Sequence, residues 1–262
     1  MSRIEKALER ALELRDSQRG GTREGTAIAE TPGAMPTFKT PANAIDKGLV
    51  DKHLVCITDP YSRAAEQYKK LRARVLKATK KDFLNTLMVT SAGIGEGKTV
   101  TAINLAAAIA SAYDHTVLLV DADLRNPSVG SYLGIKPKVG LSDCLAGKAD
   151  ISDAIIGTGI GKLAVLPAGR PSEDSAEMLS SERMKSLVQE MKSRYKDRYI
   201  IIDTPPVLAT AEPLSIGNFV DGTLLVVQAD KTSEKAFAHV VSLLNGYKLL
   251  GVVLNNMPER LA

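Results

Sequence analysis

At 262 residues, with 44% hydrophobic residues and no tryptophan, the chain has enough material for one α/β domain of about two hundred residues plus extensions. Its net charge of +4 is small and its basic residues are scattered, which argues against nucleic acid as a partner. Cys56 and Cys144 are far apart, without C-x-x-C spacing or clustered histidines, so neither zinc nor a disulfide framework is expected and both thiols should be reduced and structural.

The chain opens on Ser2-Arg3-Ile4-Glu5, a capping-box spacing, and continues with Ile4, Ala7, Leu8, Ala11 and Leu12 on one helical face. A short amphipathic helix is therefore expected over 1–18, suited either to a partner or to its own domain. Residues 19–48 are rich in Gly, Thr, Pro and Ala without periodicity and read as a flexible linker. The remainder, 49–262, reads as one domain. There is no signal peptide and no apolar run near 18 residues, so a soluble, cytoplasmic protein is expected, with any membrane association supplied by a partner.

Within that domain, 64–77 forms a charged helix whose Glu66, Lys69 and Arg72 recur at intervals of three and so line one face. Such a stripe is most simply a solvated surface. Lys77, Lys80 and Lys81 with Asp82 read as its solvated end. Strands are then expected at 87–90, 116–120, 163–166, 199–202, 223–227 and 249–254. Helices are expected between most of them, at 102–112, 173–195 and 232–246. This alternation implies right-handed crossovers and an α/β fold, a mainly parallel sheet with helices on both faces; the Gly-rich loop 93–99 after the first core strand makes it P-loop NTPase-like.

Three segments read as walls of one phosphate pocket. The first is Gly93-Ile94-Gly95-Glu96-Gly97-Lys98-Thr99, between the first strand and its helix. Glycine lets such a loop turn tightly and bring backbone N–H groups up to oxygen atoms, and the helix N-terminus adds its positive end. Lys98 can reach the β- and γ-phosphates, and the Thr99 hydroxyl suits Mg²⁺. Ala92 stands where the usual pattern has its first glycine.

The second wall is Asp121-Ala122-Asp123-Leu124-Arg125, after the apolar run 117–120. Side chains two apart on extended chain point the same way, so Asp121 and Asp123 can both face the pocket, and two like charges so close call for a cation. The third is Asp203-Thr204-Pro205-Pro206, where proline forces the chain out of the sheet and leaves Asp203 at its carboxyl edge.

Together these segments resemble the bacterial tyrosine kinases. The likeness runs from about Asp59 to Asn255, and Gly140-Leu141-Ser142-Asp143 and Leu166-Pro167-Ala168-Gly169 support it. The opening Met-Ser-Arg-Ile-Glu-Lys-Ala-Leu-Glu looks like the start of the exopolysaccharide-associated autokinases. The resemblance implies an ATP- and Mg²⁺-dependent protein-tyrosine kinase in capsule or exopolysaccharide export. It also implies a membrane chain-length-determinant protein whose cytoplasmic tail activates it, placing the chain at the inner face of the membrane. The Glu66, Lys69, Arg72 stripe matches a family Glu-x-x-Arg-x-x-Arg helix that packs between subunits of a ring, with Lys for the first Arg.

Carried onto this chain, the implied site has Thr99, Asp121 and Asp203 at Mg²⁺ and Lys98 on the phosphates. Asp121 or Asp123 takes the tyrosine proton, and residues 93–100, from Gly93 through Val100, contact the nucleotide with Arg125 and Asn255. Arg125 fits equally a developing charge or an ordinary salt bridge. The chain departs from the pattern in two places. No tyrosine follows Asn255, although the family commonly ends in a tyrosine cluster, and Thr210-Ala211-Glu212 replaces the usual Thr-Asp-Ala. Two alternatives remain: a partition or septum-site type ATPase switch, disfavoured because Ala92, Gly93 and Ile94 offer no second loop lysine, or a non-catalytic ATP-dependent scaffold.

Overall fold

The computed structural model describes residues 45–112, 114–193 and 198–257. The helix expected over 1–18 and most of the expected linker lie outside the described residues. The linker's last residues lie within them. Ile45 donates its N–H to the Thr158 carbonyl and packs against the core, and Asp46 accepts from Gly48 N at 2.9 Å, capping a turn at Lys47–Leu49.

Among the described residues seven strands form one sheet: β1 (Thr86–Ser91), β2 (Thr116–Asp121), β3 (Ile156–Gly157), β4 (Leu163–Leu166), β5 (Arg198–Asp203), β6 (Gly222–Gln228) and β7 (Leu249–Asn255). Their order is β3-β4-β2-β5-β1-β6-β7, and every neighbouring pair is parallel except β3 with β4. The six expected strands are present. The short antiparallel β3 was not expected, since two residues carry no readable period.

Continuous apolar runs in β1, β2 and β5 follow from burial on both faces. Leu87, Val89, Val117, Leu119, Tyr199 and Ile201 face one core, while Met88, Leu118, Val120, Ile200 and Ile202 face another. Helix α1 (Arg63–Thr79) and helix α2 (Lys98–Ala110) cover the first face. Alanine-rich α2 is buried on almost every side, lying between the sheet and α1. Helices α3 (Glu182–Ser193) and α4 (Glu234–Leu243) cover the opposite face through Met184, Leu187, Val188 and Met191, and through Val240.

The single helix expected over 173–195 is two. Ser181 is extended (φ −72°, ψ 154°), ending Ser175–Ser180, and its hydroxyl accepts from Met184 N at 3.2 Å to start α3. A serine at such a position favours a new N-terminus over continuation, because it supplies the acceptor that the first turn lacks. The break lets Leu179 and Met184 enter the same core. Similarly, α2 starts at Lys98 rather than 102, because Gly97, at φ 90°, caps it. No helix among the described residues is long and apolar enough to cross a membrane.

Candidate active site

Because β2, β5 and β1 are adjacent, the three expected walls meet at one edge. Asp121 and Asp203 are partners in the β2–β5 register, and Asp203 is the partner of Val89 in β1, four residues before the glycine loop. Open α/β sheets bind ligands at this carboxyl edge.

Lys98 leaves the first turn of α2 into this corner. Its Nζ donates to Asp123 Oδ2 at 3.1 Å and to Thr99 Oγ1 at 3.1 Å, and lies 3.6 Å from Asp203 Oδ2. The Thr99 hydroxyl donates to Asp203 Oδ2 at 2.7 Å. Asp121 is held by backbone: Oδ1 accepts from Asp123 N at 3.2 Å, and Oδ2 from Ser128 N at 3.1 Å and Val129 N at 3.0 Å. Asp123 Oδ1 accepts from Asn126 N at 3.0 Å.

Three carboxyls around one ammonium leave the cluster anionic, and its proton affinities record this. Burial, reinforced by the Asp203 carboxylate, pushes Asp121 up to about 7 against the N–H groups of Val129 and Asp123. Burial also raises Asp203, and the Asp123 carboxylate adds to it, while Lys98 and Thr99 partly offset both. Burial works to lower Lys98, but Asp203, Asp123 and Asp121 outweigh it, so its affinity rises and the ammonium stays charged.

One oxygen of this cluster, Asp203 Oδ1, is buried without a hydrogen-bond partner. An orphaned carboxylate oxygen beside a hydroxyl, in a corner with excess negative charge, fits a small hard cation. Among the described residues no group of three or more His, Cys, Asp or Glu side chains has metal-holding geometry. The Thr99 hydroxyl beside the Asp203 carboxylate suits Mg²⁺, which keeps several waters and takes one or two carboxylates together with phosphate oxygens.

The glycine loop is braced from outside. Glu96, 4% exposed, accepts from Gly93 N at 2.9 Å through Oε2 and from the Thr232 hydroxyl through Oε1. Lys231 Nζ donates to the carbonyls of Ile94 (2.9 Å) and Gly95 (3.3 Å), and Asn255 Nδ2 to that of Glu96 (2.9 Å). These donors occupy the carbonyls of Ile94, Gly95 and Glu96, while Glu96 holds the Gly93 amide hydrogen, so an anion would be met by the N–H groups that follow in the loop. Beside Thr232 lies a largely apolar cavity of 370 Å³, lined by Val227, Phe237, Leu254 and Met257 among others.

Asn255, expected near the nucleotide, thus touches the loop itself. Arg125 is tied back instead: its Nε donates to Glu212 Oε1 and Ser175 Oγ, each at 2.8 Å. Glu212 is 1% exposed and forms an ion pair with Arg125. Sequence reasoning did not single out Ser175, Lys231 and Thr232, and treated Glu212 only as a departure. The stripe on α1 is partly engaged within the chain, with Lys69 paired to Glu66 at 3.2 Å and Arg72 Nη1 donating to Ala108 O at 2.9 Å. Both cysteines are free, and burial pushes each thiol up to about 11.

Comparison with known proteins agrees with this geometry. A family model described as AAA domain matches residues 86–249. The tyrosine-protein kinase YwqD of Bacillus subtilis (strain 168) is 36% identical over 208 residues, 79% of this chain and 86% of the relative. The kinase domain of the Escherichia coli tyrosine kinase ETK superposes with a TM-score of 0.75 at 31% identity, covering 79% of this chain and 81% of that one. The septum site-determining protein MinD of Pyrococcus horikoshii, solved with Mg-ADP, has a TM-score of 0.56 at 26% identity, over 67% of this chain and 72% of that one. With so much of both chains matched to YwqD and to the ETK domain, the protein belongs to the bacterial tyrosine-kinase family.

Proposed function

We propose that this chain is a protein-tyrosine kinase of a capsule or exopolysaccharide export system, transferring the γ-phosphoryl group of ATP to a tyrosine hydroxyl. The observation that carries the reading is the meeting of Lys98 with Asp123 and Asp203 at the mouth of the glycine loop, at 3.1 and 3.6 Å.

The transition state of phosphoryl transfer is loose, so the protein's part is position and charge. Loop N–H groups and the N-terminus of α2 cradle the phosphates, and Lys98 follows the charge that moves toward the leaving oxygen. Apolar walls beside Thr232 suit the flat face of the base. Mg²⁺, held by Thr99 and Asp203 with Asp121 close by, would neutralise charge on the phosphate oxygens. Asp121 or Asp123 would accept the phenolic proton; Asp123 is also the hydrogen-bonded counter-ion of Lys98. A membrane chain-length-determinant protein is the proposed activating partner, and it would bring the chain to the inner face of the membrane. Assembly into a ring through Glu66, Lys69 and Arg72 requires Arg72 to release Ala108 O or to serve both contacts.

The test is phosphotyrosine mass spectrometry after incubation with Mg-ATP, with and without the cytoplasmic tail of a candidate partner. Transfer that disappears in Lys98→Met and Asp121→Asn supports the kinase. Steady phosphate release with no phosphotyrosine on any acceptor supports the ATPase switch instead.

A further inference from the structure

Resting on the kinase reading, we propose that Tyr61 is a phosphate acceptor of this chain, modified by a second copy. The seven tyrosines of the sequence are dispersed. Four of them are tied into the fold. Tyr199 is 2% exposed and shares a hydrogen bond with Thr79 at 2.7 Å. Tyr68 is half-buried, and burial raises its phenol. Tyr132 packs on one core and Tyr247 on another, the latter ring lying against Gly217. Tyr113 and Tyr195 lie outside the described residues.

Tyr61 differs from the four described above, being 95% exposed. It stands in the turn between the short helix Val55–Thr58 and α1. Ser62 fixes that turn: its N–H and hydroxyl donate to Asp59 O at 3.1 and 2.8 Å, and its Oγ accepts from Ala65 N at 3.1 Å, capping α1. A pinned backbone beneath an exposed ring presents the phenol without local unfolding, which would otherwise subtract from the affinity for the modifying site.

Its position on the molecule is also favourable. Further along α1, Tyr68 lies beside Thr101 and Asn104 of α2, and Arg72 reaches Ala108. The two helices therefore run in the same direction. Tyr61, seven residues before Tyr68, then lies toward the end of the molecule where α2 begins and the glycine loop opens. Two copies meeting near that end bring the tyrosine of one toward the phosphate pocket of the other. Lys69, with its ammonium 5.9 Å from the Tyr61 ring centroid, is placed to pair with a phosphate added there. In the step itself, a lone pair of Tyr61 Oη forms the new bond to the γ-phosphorus. The bond from that phosphorus to the β,γ-bridging oxygen breaks, ADP leaves with the electron pair, and the phenolic proton passes to a carboxylate of the donor copy.

The experiment mixes two full-length chains with Mg-ATP: Tyr61→Phe, with its site intact, and Lys98→Met, which retains Tyr61. Phosphopeptides are mapped, and a synthetic tyrosine peptide is included as an independent acceptor. The expected result is phosphate on Tyr61 of the Lys98→Met chain, and loss of this phosphopeptide when both chains carry Phe at that position. Phosphate only on Tyr113, Tyr195 or the added peptide overturns the Tyr61 site while leaving the kinase reading intact. Phosphate on Tyr61 of an active chain but never on the Lys98→Met chain overturns the transfer between copies. Phosphate release with no phosphotyrosine anywhere removes both.

Discussion

The Thr99 hydroxyl donates to Asp203 Oδ2 at 2.7 Å, and the other oxygen of that carboxylate is buried without a partner. A buried acceptor left unmet costs about 1–3 kcal/mol, so Oδ1 marks where the site is incomplete without a ligand. Asp203→Asn keeps the shape but weakens the charge offered to a cation. It is expected to lower turnover by about a hundredfold and to raise the Mg²⁺ concentration at half-maximal activity. Mg²⁺ titration of initial rates checks this, and an unchanged Mg²⁺ midpoint would remove Asp203 from the metal site.

Asp121 makes the nucleotide-free protein sensitive to pH. Its folded affinity of about 7 lies above its ordinary value of 3.8, so the folded state binds this proton more tightly than the unfolded state. The stabilisation is complete below about 4 and drains as pH rises through 7, at no more than about 1.4 kcal/mol per pH unit for one proton. Asp203, raised in the same direction, adds to the trend. Urea midpoints are therefore expected to fall between pH 5 and pH 8, and to fall less in Asp121→Asn. A midpoint that rises over this range contradicts the assignment.

The loop brace gives a prediction away from the phosphates. Thr232→Val removes the hydroxyl that donates to Glu96 Oε1, a loss of about 1 kcal/mol or roughly fivefold in ATP affinity. Glu96→Ala also releases Gly93 N and is expected to weaken binding further. Calorimetric titration with ATP reads both, and wild-type affinity in Glu96→Ala would show that the loop holds its shape unaided.

Gly97 is the strictest position in the loop. A Cβ there would lie 2.0 Å from Asn255 Nδ2, and φ 90° is a backbone state that costs other residues about 1–3 kcal/mol. Gly97→Ala is expected to abolish ATP binding. Adding Asn255→Ala relieves the collision but not the backbone strain, so it should restore binding only in part. Full restoration would mean that the collision alone governs the site.

The sheet was legible because β1, β2 and β5 are apolar on both faces, and the pocket because its acids sit directly at strand ends. Contacts between distant loops were not. Lys231 meets Ile94 and Gly95 because β6 lies next to β1, and strand order is not written in local pattern. The partner in the salt bridge of Arg125 was unreadable for the same reason, since Glu212 follows a different strand and opens a short helix. Arg72 looked like pure surface by spacing, yet the buried alanine helix beside it ends in carbonyls that need donors, and Ala108 O takes one from Arg72. Ser181 was a local signal passed over, a capping residue within a helical pattern.

The central claim is that the Lys98, Asp121 and Asp203 corner sends the γ-phosphate of ATP to tyrosine, and the fate of that phosphate tests it most directly. In a single-turnover reaction of the full chain with γ-labelled Mg-ATP and a tyrosine acceptor, label should appear in phosphotyrosine, and Lys98→Met should lower that rate by at least about a hundredfold. Label recovered wholly as inorganic phosphate, or transfer unchanged in Lys98→Met, would contradict the account.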